Sequence, residues 1–169
     1  MLSKSKYLNG LQCLKYLWLI FNEPEKVPGP DDATQRIFDQ GHQVGELAKK
    51  LFPGGIDIPD ADFMVNLNLT RQYLEYGRPL FEAGIMSVGL FCRPDILNPV
   101  ENGAWDIIEV KSTTSIKEIN YHDVSFQRYC CEKAGLKINR CYLAVINNQY
   151  VKRGEIDPKG FFSIHDITD

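Results

Sequence analysis

Two apolar stretches of strand character, Gly89-Leu-Phe-Cys-Arg-Pro-Asp-Ile-Leu97 and Trp105-Asp-Ile-Ile-Glu-Val-Lys111, flank the polar run Asn98-Pro-Val-Glu-Asn-Gly103, and this pairing constrains the chain most. A turn over the polar run closes the two stretches into a hairpin and brings Asp95 beside the strand that carries Glu109. Side chains alternate along a strand, so Glu109 and Lys111 share one face while Ile108 and Val110 point to the other. Two carboxylates and an ammonium then converge.

The same dipeptides occur elsewhere, as Pro30-Asp31, Pro59-Asp60 and the acid-x-lysine Asp157-Pro158-Lys159. Asp31 and Asp60 stand among prolines, glycines and acids, as turn residues do. Pro158 makes residues 157–159 a predicted loop. Asp95, Glu109 and Lys111 belong to apolar strands that a core can position.

Carboxylate oxygens suit a hard cation such as Mg²⁺, which keeps several waters when held by one or two carboxylates. Such an ion lowers the pKa of a bound water and offsets charge developing on a phosphate, and a neighbouring ammonium can orient the water. Asp95 and Glu109 are thus the expected ligands and Lys111 the water-positioning group. An alternative open at this stage has Asp95 and Glu109 at exposed strand ends, with Lys111 as an ordinary cross-strand ion partner.

With these residues the chain resembles the PD-(D/E)xK nuclease superfamily, in particular its RecB-like branch. Leu2-Ser-Lys-Ser-Lys-Tyr7 with Gly10-Leu-Gln-Cys-Leu-Lys-Tyr-Leu-Trp18 looks like the amino-terminal helix of that branch, and Phe38-Asp-Gln-Gly-His-Gln-Val-Gly-Glu-Leu-Ala48 like its first core helix. The resemblance runs roughly from Leu2 to Tyr150. It implies a restriction-endonuclease-like core, catalysis by Asp95, Glu109 and Lys111, and Mg²⁺ or Mn²⁺ held by Asp95, Glu109, Val110 and a residue of the first core helix. DNA is the implied substrate, with RNA left open. Gln127 falls on the helix after the Glu-x-Lys strand and is expected to contact substrate, as is His42. The branch usually has a histidine four residues after the helix glycine, where this chain has Gly45. His42 and Glu46 share a helical face, and Glu46 is preferred as third ligand because Mg²⁺ favours oxygen. Tyr129 follows Gln127 by two residues rather than the family's four, and Cys131 takes the usual place of the tyrosine.

Some RecB-like enzymes hold an iron-sulfur cluster through one early and three late cysteines. Cys13 matches the early position, but Cys130, Cys131 and Cys141 lack the close spacing of the late trio, so no cluster is expected. Five cysteines without a CxxC pair, and no export signal, point to reduced thiols in the cytoplasm. The run Leu17–Phe21 is too short to span a membrane. At 44% hydrophobic and 24% charged, residues 1–169 read as one soluble domain, expected to be part of a longer bacterial protein. A net charge of −3 disfavours a strong nucleic-acid binder unless basic residues cluster locally. It motivates a second reading, a catalytically inactive nuclease-like module that binds nucleic acid or assembles with other domains.

Periodicity predicts one helix from a Ser3 cap to Pro24, with Tyr7, Leu11, Leu14, Trp18 and Phe21 recurring at helical spacing and Trp18 and the aromatic positions in the core, and a second from a Thr34 cap to Leu51. It further predicts a short helix over 67–76, strands at 80–83, 87–97 and 104–111, a helix over 121–134 and a strand at 141–146. The order fits an α/β fold whose mixed central sheet is flanked by helices.

Overall fold

The computed structural model describes residues 1–60 and 62–169. In chain order its strands are β1 (Leu2–Ser3), β2 (Ile56–Asp57), β3 (Leu80–Phe81), β4 (Ile85–Ser87), β5 (Leu90–Cys92), β6 (Ile96–Pro99), β7 (Ala104–Lys111), β8 (Lys137–Ile146) and β9 (Phe162–Asp166). Its α-helices are α1 (Lys4–Gln12), α2 (Leu14–Asn22), α3 (Asp32–Lys49), α4 (Phe63–Leu74), α5 (Glu118–Lys133) and α6 (Pro158–Phe161). Among the described residues the main sheet has six strands in the order β2-β3-β6-β7-β8-β9, mixing parallel and antiparallel pairs, and a smaller sheet runs β1-β5-β4. The expected α/β architecture, with a mixed sheet flanked by helices, is present. No helix among the described residues is long and apolar enough to cross a membrane.

The central strand is β7. It pairs antiparallel with β6, as the hairpin reading requires, and parallel with β8 after the α5 crossover. Alternation along β7 divides the core. Trp105 and Ile107 join Val124, Phe126, Cys130 and Leu143 on the α5 side. Ile108 and Val110 pack with Val44 and Ala48 of α3 on the other. Glu109 and Lys111 therefore share the α5 face, where that helix presents Asp123 and Gln127 to them.

The predicted strand 87–97 is three strands in two sheets. Val88 and Gly89 both take positive φ and turn β4 into β5, whereas β6 belongs to the main sheet. The chain changes sheets through Arg93, Pro94 and Asp95, and Pro94 has no N–H to continue a ladder. Asp95 thus sits at the crossing, directly before the β6–β7 pairing.

The first helix is not continuous. Cys13 is extended (φ −158°, ψ 110°) and divides α1 from α2. Gly10 explains the fold-back, because a Cβ there would lie 2.7 Å from Leu17 Cδ2. Tyr7 packs on the core and stacks on Phe126 at 4.9 Å, but Trp18 and Phe21 are 53% and 46% exposed, contrary to their expected core positions. Asp31, not Thr34, caps α3, its carboxylate accepting from the Thr34 N–H at 2.8 Å. The shorter helix starts earlier than predicted because Asp62 caps it through the Val65 N–H. Residues 157–159 form a helical turn capped by Asp157, with Pro158 at its first position, where a missing N–H costs nothing.

Buried Asn66 on α4 steadies the approach to Asp95. Its Nδ2 donates to the carbonyls of Pro59 and Glu82, at 3.0 and 3.1 Å. Glu82 holds a positive φ of 56° and donates its N–H to the Asp95 carbonyl. A Cβ at Gly84 would stand 1.9 Å from Asn66 Oδ1, so Gly84→Ala must displace this brace. The expected cost is about 1–3 kcal/mol, read as a lowered urea midpoint; a wild-type midpoint would show that Asn66 moves aside freely.

Candidate functional site

The end of the β6–β7 hairpin gathers three buried or half-buried carboxylates, two ammoniums and an amide. Glu109 is 2% exposed. Its Oε1 accepts from Lys111 Nζ at 2.6 Å and Lys4 Nζ at 2.9 Å, and its Oε2 from Gln127 Nε2 at 2.7 Å. Asp123, equally buried, accepts from Lys111 at 2.6 Å and Gln127 at 2.8 Å, with Lys4 at 3.6 Å. The half-buried Asp95 accepts the Val110 N–H through Oδ2 at 2.7 Å. Glu109 is therefore not an exposed strand end, and Lys111 is more than its surface ion partner.

Burial and two opposing sets of charges separate these acids electrostatically. Burial pushes the Asp95 carboxyl up to about 7, reinforced by the negative charges of Glu109 and Glu82 and opposed by Lys4 and Lys111. Burial would also raise Glu109, but the Lys4 and Lys111 ammoniums and the hydrogen bonds from Lys111 and Gln127 outweigh it and hold that carboxyl well below the usual range. Asp123 is raised, by burial first and then by Glu109. Both lysines lose stability as cations through burial and regain more from the surrounding carboxylates, so both are raised. The opposite shifts leave Asp95 the more easily protonated of the two.

Between the ordinary carboxylate pKa and about 7 the folded protein binds a proton at Asp95 that the unfolded chain has released. This group's contribution therefore makes the cation-free protein less stable as pH rises through that window. Asp95→Asn is expected to raise cation-free stability at pH 8 by on the order of 2 kcal/mol and to flatten the slope between pH 4 and 7. Thermal unfolding in EDTA against pH checks this, and an unaltered slope in the variant would refute it.

Asp95, Glu109 and Val110 line one open cavity of about 290 Å³ with Glu46, His42 and Glu82. The predicted third-ligand candidates thus face the same space. The Glu46 carboxylate is 68% exposed and paired with Lys49, which also holds Asp57, and His42 is exposed one turn earlier. Gln127 is fully buried and spans two carboxylates, so here it positions Glu109 and Asp123. Its Oε1 is unpartnered.

A divalent cation fits Asp95 and Glu109 in part. Among the described residues no three His, Cys, Asp or Glu side chains form a ready cage, but Mg²⁺ needs only one or two carboxylates and water. Asp95 Oδ1 accepts no hydrogen bond from the described residues, which leaves that oxygen available to an ion. The Val110 side chain packs toward α3, so any ligand from that residue is its carbonyl oxygen. Cys13 is exposed at the α1–α2 break, while Cys92, Cys130, Cys131 and Cys141 are buried.

Sequence reasoning missed Lys4 and Asp123. Asp123 precedes Gln127 by four residues and shares its helical face, a spacing that could have found it. Lys4 lies 105 residues from Glu109, and no local pattern distinguishes it. No protein-family model matches the chain, and no curated protein matches it significantly.

Proposed function

We propose that this chain is a metal-dependent nuclease of the PD-(D/E)xK type, with a restriction-endonuclease-like core, that hydrolyses phosphodiester bonds in DNA. The observation that carries the reading is the convergence of Asp95 and Glu109 on one open cavity, with Lys111 fixed beside Glu109 at 2.6 Å. A bound Mg²⁺ or Mn²⁺ supplies Lewis-acid stabilisation of the phosphate and a more acidic water.

The chain's own residues perform the remaining work. Asp95 and Glu109, with the Val110 carbonyl, would hold the ion, and Glu46 or His42 lies across the cavity to complete the site. Asp123 and Gln127 fix Glu109 and Lys111 so that neither must reorganise during reaction. Lys111 orients the attacking water. The water oxygen forms a new bond to phosphorus, one ester P–O bond breaks, and the departing oxygen takes a proton, leaving a phosphomonoester and a free hydroxyl.

Purified protein is expected to cleave labelled linear DNA with Mg²⁺ or Mn²⁺ and not with EDTA. Well-folded protein that binds the ions but cleaves neither single-stranded nor duplex DNA would sink the reading.

One observation favours the second reading, a nuclease-like module without catalysis. Glu109 Oε1 carries two ammoniums, so the acid is already compensated without a metal. Calorimetric titration with Mg²⁺ and Mn²⁺ separates the two: the enzyme binds an ion that Asp95→Asn removes, and the module binds none.

A further inference from the structure

We propose that Lys4 is a phosphate-binding residue of this site, contacting a non-bridging oxygen of the scissile phosphodiester together with Lys111; this rests on the nuclease reading for the identity of the ligand. Lys4 lies in the first turn of α1, far from the hairpin in sequence, yet several contacts fix its backbone there. Leu2 and Ser3 pair in parallel with Leu90 and Phe91 of β5, the Ser3 hydroxyl caps α1 through the Lys6 N–H, and Tyr7 stacks on Phe126 of α5.

The two ammoniums are arranged alike. Each touches Glu109 Oε1, and each faces a different oxygen of Asp123, Lys111 at Oδ2 and Lys4 at Oδ1. One ammonium would suffice to compensate Glu109. The second, carried in from another part of the fold, balances Asp123, and the two like charges stand side by side on one oxygen of Glu109, an arrangement that a further anion placed between them would relieve. Both also reach solvent, the Lys4 side chain at 21% exposure and that of Lys111 at 23%.

Charge balance gives the ligand its class. Asp95, Glu109 and Asp123 against Lys4 and Lys111 leave one negative charge when all are ionised. A dication reverses this to one positive, which matches the single negative charge of a phosphodiester. Asp123, 2.6 Å from Lys111 and 3.6 Å from Lys4, would keep both lysines beside Glu109, which itself lines the cavity. Residues 1–22 reinforce the field, since they carry Lys4, Lys6 and Lys15 and no acid in a chain of net charge −3.

The test uses the full chain as wild type, Lys4→Met, which keeps the apolar stem, and Lys4→Arg, which keeps the charge. Fluorescence anisotropy with a labelled oligonucleotide is run against salt in EDTA and in Mg²⁺, beside Mg²⁺-dependent cleavage and thermal unfolding. Lys4→Met is expected to reduce the slope of log affinity against log salt by about one and to lower kcat/KM at least about tenfold, with Lys4→Arg restoring the slope. An unchanged slope in Lys4→Met, whether or not its unfolding temperature falls, would overturn the proposal and leave Lys4 as a structural ion-pair partner. Wild-type protein that binds DNA with the Lys4-dependent slope but cleaves none would retain the phosphate site and refute the nuclease. Protein that cleaves while Lys4→Met matches it in slope and kcat/KM would do the reverse.

Discussion

Lys111→Ala is expected to lower metal-dependent DNA cleavage by about 100- to 10,000-fold while leaving the fold and ion binding in place. Lys111 is not a ligand, so the ion should stay. Its removal also leaves Glu109 with the Lys4 ammonium and the Gln127 amide, enough to keep that carboxylate charged and bonded. The loss should fall mainly on kcat, because a water-positioning group acts at the chemical step, with a smaller rise in KM from the phosphate contact shared with Lys4. Single-turnover kinetics with saturating Mg²⁺ measure it. Undiminished cleavage would remove Lys111 from the mechanism, and a raised KM at unchanged kcat would leave it only the phosphate contact shared with Lys4 and no part in orienting the water.

Glu109→Ala is expected to abolish cleavage and, in addition, to destabilise the cation-free protein by about 3–5 kcal/mol. The second effect arises because Lys4, Lys111 and the Gln127 amide would keep their positions around an empty acceptor, with Asp123 left to accept from Lys111 and Gln127 and to stand 3.6 Å from Lys4. Glu109→Gln keeps the volume and one acceptor oxygen, so it should lose cleavage with a smaller loss of stability. Urea unfolding in EDTA distinguishes the two variants. Equal midpoints for wild type and Glu109→Ala would mean that the network adds no net stability, as solvated surface pairs do not. The comparison also protects the activity assay: an inactive Glu109→Ala is informative only beside a folded Glu109→Gln.

Much of the hairpin was legible in the sequence because its cause is local. Alternating apolar residues around Glu109 and Lys111 define two faces, and the polar run before Ala104 defines the reversal, so the placement of Asp95 beside the Glu109 strand followed from strand period and turn together. The division of residues 85–99 between two sheets was less accessible, since Val88 is a branched residue in a positive-φ turn where glycine is preferred. The break at Cys13 was hidden for a different reason. Apolar spacing runs through it without interruption, and the choice between one helix and two is made by Leu17 settling against Gly10, a tertiary contact. Among the described residues the short strand β9 pairs only with β8, and it has weak alternation of its own. Lys4 was illegible in principle: one lysine among 19 lysines and arginines becomes special only through a distant partner.

The separation of 105 positions between Lys4 and Glu109 also bears on how the molecule comes into being. Contacts of such separation demand a large loop-closure entropy and slow the folding step that forms them. During synthesis the α1–α2 hairpin leaves the ribosome well before β5, β7 and α5, the elements on which it docks. Until then its lysine has no carboxylate to meet, and when β7 and α5 first pack their acids are missing one of their two cations. The charged centre therefore closes late, as the first and middle parts of the chain meet, and a partly made or misassembled molecule does not carry it.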